Sequence, residues 1–163
     1  MKKMTILLFV LALSSCKDAP SQPTSQVELS VKVAPLLGDI RNPDTIIAEV
    51  INHGTTDNYR MDGCGYWAHG MVLGILGPDS SEVYLSDPRI RPLCLDQVIP
   101  FLPGEKFTGV AQFNGKLFNT SGNQFDAQSG AYVVIVKFWV SPVRDFTGGN
   151  IIEQRASFQW SAK

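Results

Sequence analysis

Apolar and polar residues alternate along most of the chain after residue 26, which is the period of a β-strand with one buried face. Residues 27–33 show this alternation first, and residues 132–140 show it longest, with Lys137 marking the wetter face. Gly77-Pro78-Asp79-Ser80 predicts a turn between two such runs and therefore a hairpin. The other predicted strands are residues 45–51, 66–76, 82–85, 97–102, 106–113 and 151–160.

Residues 58–65 predict a loop or an irregular strand, and residues 114–130 predict a loop. No apolar period of 3.6 residues follows the N-terminal segment, so the pattern favours an all-β protein of about seven to eight strands. Two sheets that are each apolar on one face bury those faces against each other, which predicts a β-sandwich.

The stretch Gly130-Ala131-Tyr132-Val133-Val134 resembles strand F of immunoglobulin-like domains. The resemblance implies a tyrosine corner, in which the Tyr132 hydroxyl bonds back to the main chain and Asp126 and Gly130 complete the motif. Val134 stands where antibody domains have their second cysteine, so the resemblance is to bacterial immunoglobulin-like modules. The expected fold is an immunoglobulin-like β-sandwich over residues 27–163.

The N-terminus combines Lys2 and Lys3, an apolar run at residues 4–13, and Leu13-Ser14-Ser15-Cys16. These are the parts of a secretory signal, and the last four residues resemble the lipobox of bacterial lipoproteins. The resemblance implies that residues 1–15 are removed as a signal peptide and that Cys16 receives a thioether lipid and an acylated amine. The apolar run is ten residues long, whereas a membrane-spanning helix needs about 20.

Residues 16–26 are expected to form the lipidated cysteine and a flexible tether, because they hold almost no large apolar side chain. The protein is then expected in the bacterial cell envelope, held by its lipid. Lys17 favours the outer membrane over the inner one, and the leaflet stays open.

The charge of the chain argues against nucleic-acid binding. Of the 14 basic residues, Lys2 and Lys3 belong to the signal, which leaves 12 against 15 acidic residues and a formal charge of −3. No basic stripe interleaved with aromatic residues occurs. Besides the membrane that holds the lipid, the expected partner is another envelope protein or a surface ligand.

Two further cysteines, Cys64 and Cys94, predict a disulfide in an exported protein. Closing this loop would stabilise the fold by about 3–4 kcal/mol in the chain-entropy model. The alternative is a copper or zinc site that uses His69 with these sulfur atoms.

The sequence predicts neither catalysis nor a cofactor. It has no Gly-x-Ser-x-Gly elbow, and its two histidines, His53 and His69, lack a catalytic partner at a diagnostic spacing. A non-catalytic binding or assembly module is therefore expected. The candidate binding residues are the aromatic side chains Tyr66, Trp67, Phe118 and Phe125.

A second resemblance favours a different function. Leu102-Pro103-Gly104-Glu105, the later Gly130-x-Tyr132, and a strand that ends in Asn52 are similar to the bacterial intracellular proteinase inhibitor family. This resemblance implies an alternative function, in which a rigid loop inhibits a proteinase.

Overall fold

A computed structural model describes residues 26–35, 43–63, 67–90 and 95–162. All the regular elements in these ranges are β-strands: β1 (Val27–Pro35), β2 (Pro43–Asn52), β3 (Asn58–Asp62), β4 (Met71–Leu76), β5 (Glu82–Val83), β6 (Gln97–Phe101), β7 (Lys106–Gln112), β8 (Lys116–Phe118), β9 (Gln124–Asp126), β10 (Gly130–Ser141) and β11 (Asn150–Trp160). No helix among the described residues is long and apolar enough to cross a membrane. The signal, Cys16, residues 17–25, Tyr66 and both Cys64 and Cys94 lie outside the described ranges.

The strands form two antiparallel sheets and a small hairpin. The first sheet has the order β1-β2-β7. In the second, β10 pairs with β11 along one edge, and with β4 and then β3 along the other. Strand β5 extends this sheet beyond β4, and β6 extends it beyond β3. The all-β sandwich predicted from the alternating pattern is confirmed.

Strand β10 forms the centre of the core. Every second residue from Tyr132 to Val140 is buried, and the residues between them are partly exposed, as the sequence predicts. Lys137 lies on the partly exposed face and pairs with Glu153 of β11 at 3.6 Å. From the first sheet, β2 contributes Ile46 and Val50, which are fully buried.

The main-chain hydrogen bond of the predicted tyrosine corner is confirmed, whereas the Asp126 carboxylate pairs with Lys116. The Tyr132 hydroxyl donates a hydrogen bond to the main-chain oxygen of Gln128 at 3.0 Å, and the residue is only 1% exposed. This bond fixes the entry of the chain into β10. Together with the sheet order, it defines the immunoglobulin-like form of the sandwich.

Three predicted details are wrong. The region 114–130 is not wholly a loop, since β8 and β9 pair there as a hairpin. The strands number eleven in the described ranges rather than seven or eight, because several are only two or three residues long. The strand predicted from residue 66 begins at Met71, because a tight turn precedes it.

Candidate binding cleft between the sheets

The two sheets leave a cleft on the side where β7 and β5 form their edges. Its volume is about 400 Å³, which lies within the range of small-ligand sites. The walls come from both sheets and from the chain that leads away from β5. They include Trp67, Leu73, Tyr84, Leu85, Ala111 and Gln112.

Trp67 is held at the cleft by a tight turn. Its main-chain nitrogen donates to the Met71 oxygen at 2.7 Å, and Met71 donates to Ala68 at 2.8 Å. The two residues within the turn, His69 and Gly70, have φ angles of 48° and 86°. A side chain at Gly70 is excluded because its Cβ would lie 1.9 Å from the Met61 oxygen. The prediction that His69 lies in a strand is therefore wrong.

Gly109 of β7 gives the Trp67 ring its position. A Cβ atom at residue 109 would lie 3.0 Å from Trp67 Cζ3 and 3.1 Å from Met71 Cε. The indole therefore rests directly against the main chain of β7. It contacts both sheets while staying partly exposed to the cleft.

The chain beyond β5 is fixed at two points. Tyr84 and Phe118 exchange two main-chain hydrogen bonds of 2.9 Å, which dock the β8–β9 hairpin on this side. Arg89 contacts both Asp87 oxygens, at 3.0 and 2.8 Å, and donates to the Gly122 oxygen at 3.2 Å. The Arg89 hydrogen bond holds the pKa of Asp87 below its ordinary value, so this ion pair is intact at neutral pH.

The aromatic residues predicted to bind a ligand do not form one site in the described part of the chain. Trp67 lines the cleft, and Phe118 is partly buried beside Tyr84. Phe125 is 37% exposed and lines a separate, smaller pocket next to Tyr132. Sequence reasoning missed Leu73, Leu85 and Ala111 as cleft residues. The predicted hairpin across residues 77–80 could have indicated the first two, because it brings the strands that contain them together.

The cleft can enclose an apolar group and offer it neutral polar neighbours. Its polar side chains are those of Tyr84, Ser86 and Gln112, together with the indole N–H of Trp67, and its other lining side chains are apolar. Among the residues that the structure describes, no acidic, basic or histidine side chain lines it. His69 stacks on Phe107 with ring centroids 5.0 Å apart. Within the described ranges, no three His, Cys, Asp or Glu residues are grouped so that they could hold a metal ion.

Comparison with known proteins gives similar solved structures but no family. No family model matches the sequence, and no curated protein matches it. Similar structures include the ASH/PapD-like domain 7 of human CEP192, at a TM-score of 0.38 and 13% identity, covering 99% of this chain and 100% of that one.

Two glucosidases are similar over a small part of their length. The β-D-glucoside glucohydrolase of Trichoderma reesei has a TM-score of 0.35 and 14% identity over 81% of this chain and 18% of that one. The β-glucosidase of Listeria innocua has a TM-score of 0.33 and 11% identity over 78% of this chain and 16% of that one. The function must therefore be argued from the cleft itself.

Proposed function

We propose that this protein is a lipid-anchored, non-catalytic binding module of the bacterial envelope, and that the cleft beside Trp67 receives its ligand. The anchor is supported by the lipobox at Leu13-Ser14-Ser15-Cys16. The binding role is carried by one observation, the 400 Å³ cleft with Trp67 fixed against Gly109.

Pre-organisation makes this cleft suitable for binding. Trp67 on one wall is positioned by main-chain hydrogen bonds of its turn. The chain around Tyr84, on another wall, is held by the two Tyr84–Phe118 main-chain hydrogen bonds. Little ordering is then needed when a ligand enters, and the entropic cost of binding is correspondingly small. The wall chemistry fits an apolar group that carries a neutral hydrogen-bonding atom.

Site-specific photocrosslinking in cells tests the cleft. A photoreactive residue at Gln112, in the cleft, should capture a ligand or partner that the same residue at Gln159, exposed on β11, does not capture. Trp67→Ala in the Gln112 variant should abolish the product. Equal capture at both positions, or capture that survives Trp67→Ala, would contradict the proposal.

The anchor has a separate test. Cells supplied with an alkyne-tagged palmitate should label the wild-type protein, and Cys16→Ala should abolish the label and release the protein from the membrane fraction. Labelling that persists in Cys16→Ala would disprove lipidation at this residue. Density-gradient separation of the two membranes then tests the expected outer-membrane location.

A disulfide between Cys64 and Cys94 forms part of the same proposal. Strand register pairs Asp62 with Gln97, and a Cβ at Gly63 would lie 3.1 Å from the Asp96 Cα. The described residues that flank the two cysteines are therefore neighbours, which supports the link. Intact-mass measurement should show a loss of two hydrogens. Two free thiols would instead favour the metal alternative with His69, which added zinc or copper then tests.

The turn at residues 102–105 supports proteinase inhibition as a second candidate function. Leu102 is 44% exposed, and its amide donates to Glu105 Oε2 at 2.7 Å. Gly104 donates to the main-chain oxygen of Asn52 at 2.8 Å, so the turn is fixed to the end of β2. The Asn52 side chain is itself buried and donates to the Phe101 oxygen at 2.8 Å.

Titration of a panel of serine proteinases with the purified protein tests this second function. Inhibition should be weakened by Leu102→Ala and unchanged by Leu95→Ala, which truncates a leucine that is 85% exposed elsewhere. A panel with no inhibited member would exclude it.

A further inference from the structure

A second, smaller pocket lies beside the tyrosine corner. Its volume is about 150 Å³, and its walls include Asp79, Phe125, Gln128 and Tyr132. Val83, which is 4% exposed, is the one described residue that lines both this pocket and the Trp67 cleft. The other walls differ, so the pocket is a separate site next to the cleft.

Asp79 gives this pocket a negative charge. Its Oδ1 atom accepts hydrogen bonds from the Ser81 hydroxyl at 2.6 Å and the Ser81 amide at 3.0 Å. These bonds hold the pKa of Asp79 below 3.8, so the carboxylate is ionised at neutral pH. No ion pair within the described ranges involves Asp79, and the lining contains no lysine or arginine.

The other walls add groups that attract a cation. Phe125 is 37% exposed, and the face of an aromatic ring carries negative electrostatic potential. The Tyr132 hydroxyl already donates its proton to Gln128, which leaves its oxygen as an acceptor. The nearby Lys116 pairs with Asp126 of the β8–β9 hairpin, so its charge is already partnered.

We propose that this pocket binds an organic cation, an ammonium or guanidinium group, between the Asp79 carboxylate and the Phe125 ring. The group could belong to a free small molecule or to a lysine or arginine side chain of a protein partner, since both present the same chemistry. The proposal does not depend on the Trp67 cleft.

Fluorine NMR of the full-length protein in detergent, with 4-fluorophenylalanine at position 125 alone, tests the proposal. The probes are tetramethylammonium chloride, guanidinium chloride and a blocked Gly-Lys-Gly peptide, each compared with sodium chloride at equal ionic strength. A saturable shift with at least one organic cation, absent with sodium, is expected. Tighter binding of the small ions identifies a free ligand, whereas tighter binding of the peptide identifies a partner's side chain.

Two aspartate variants provide the matched comparison. Asp79→Asn should weaken binding by about fivefold, the upper range for an exposed charge pair. Asp145→Asn should leave it unchanged, although Asp145 makes the same pair of hydrogen bonds to Thr147, at 2.9 and 2.7 Å. Trp67→Ala should also leave it unchanged, which separates this site from the cleft. Shifts that fail to saturate, or equal effects of the two aspartate variants, would overturn the proposal.

Discussion

The two ends of the sandwich are both filled with aromatic rings, but among the described residues only one end also buries a charged side chain. At the first end, which we call the Tyr132 end, four rings lie with centroids 4.9–5.6 Å apart: Phe113, Tyr132, Phe158 and Trp160. At the second, the Arg60 end, Phe101 packs against Phe107 and Phe138, and the Arg60 guanidinium carbon lies 4.5 Å from the centre of the Phe107 ring.

The buried charge makes the Arg60 end depend on one described carboxylate, that of Asp62. Arg60 is 5% exposed and donates from Nη1 to Asp62 Oδ2 at 2.6 Å. Its Nε atom is buried and has no hydrogen-bond partner among the residues that the structure describes. Desolvating a guanidinium is costly, and one carboxylate with one ring face offsets that cost only in part. An apolar ring can pack against many kinds of apolar side chain. The Arg60 guanidinium instead requires a hydrogen-bond acceptor at a specific position.

The largest effect is expected at the Tyr132 end. Phe113→Ala should lower the free energy of unfolding by about 3–5 kcal/mol, because it empties a fully buried site that contacts three other rings. Urea unfolding followed by circular dichroism measures this loss. Val110→Ala, at a site 58% exposed, is the control and should change stability by less than about 0.5 kcal/mol. A loss below about 1 kcal/mol for Phe113→Ala would contradict the packing described here.

At the Arg60 end, the loss in the free energy of unfolding should depend on whether Asp62 or Arg60 is replaced. Asp62→Ala should cost about 2 kcal/mol, below the value for a fully buried pair because the Asp62 side chain is 28% exposed. Arg60→Met should cost less than about 1 kcal/mol, since methionine keeps the contact with Phe107 and leaves Asp62 able to be hydrated. The same urea assay compares them. If Arg60→Met proved the more damaging variant, the ion pair would be a net source of stability.

Sequence reasoning reached the Tyr132 corner and the buried face of β10, including Phe138, but not the buried Arg60, and the reason is the range of the interactions. Alternation over residues 132–140 and the motif at Gly130 and Tyr132 are local, so the buried face and the corner could be predicted. Arg60 lies in a polar stretch that predicts a loop or an irregular strand. Its burial depends on Phe107, which is far away in sequence and on the other sheet.

The same distinction applies to the two candidate sites. Trp67 and Phe125 could be singled out as surface-prone aromatic residues. The walls around them could not be predicted, because they depend on contacts distant in sequence, such as Trp67 against Gly109 and the Tyr84–Phe118 bonds. The acidic character of the smaller pocket likewise follows only from the placement of Asp79 near Tyr132.

A smaller effect is expected from removing one oxygen atom at the Tyr132 end. Tyr132→Phe keeps the ring stack but leaves the Gln128 oxygen without its donor. The expected loss is about 1 kcal/mol, the usual net value of one hydrogen bond. The Phe113–Phe158 contact should persist, which near-ultraviolet circular dichroism can check. A loss as large as that of Phe113→Ala would mean that the corner, rather than the ring packing, holds this end together.

The smallest effect is a dependence on alkaline pH that only the Tyr132 end should show. Burial, and secondarily the charge of Asp79, raise the pKa of the Tyr132 phenol above 10.0. The folded state therefore holds this proton more tightly than the unfolded state does. The resulting stabilisation is complete below pH 10.0 and is lost as the pH rises through the raised pKa.

Comparing unfolding at about pH 9 and about pH 11 measures this loss. The stability gap between the wild type and Tyr132→Phe should narrow at the higher pH, because the variant has no phenol to ionise at this position. The gap between the wild type and Asp62→Ala should stay constant, since arginine remains charged throughout this range. If both stability gaps narrowed equally, the loss at high pH would not come from the Tyr132 phenol. The proposed difference in pH dependence between the two ends would then be wrong.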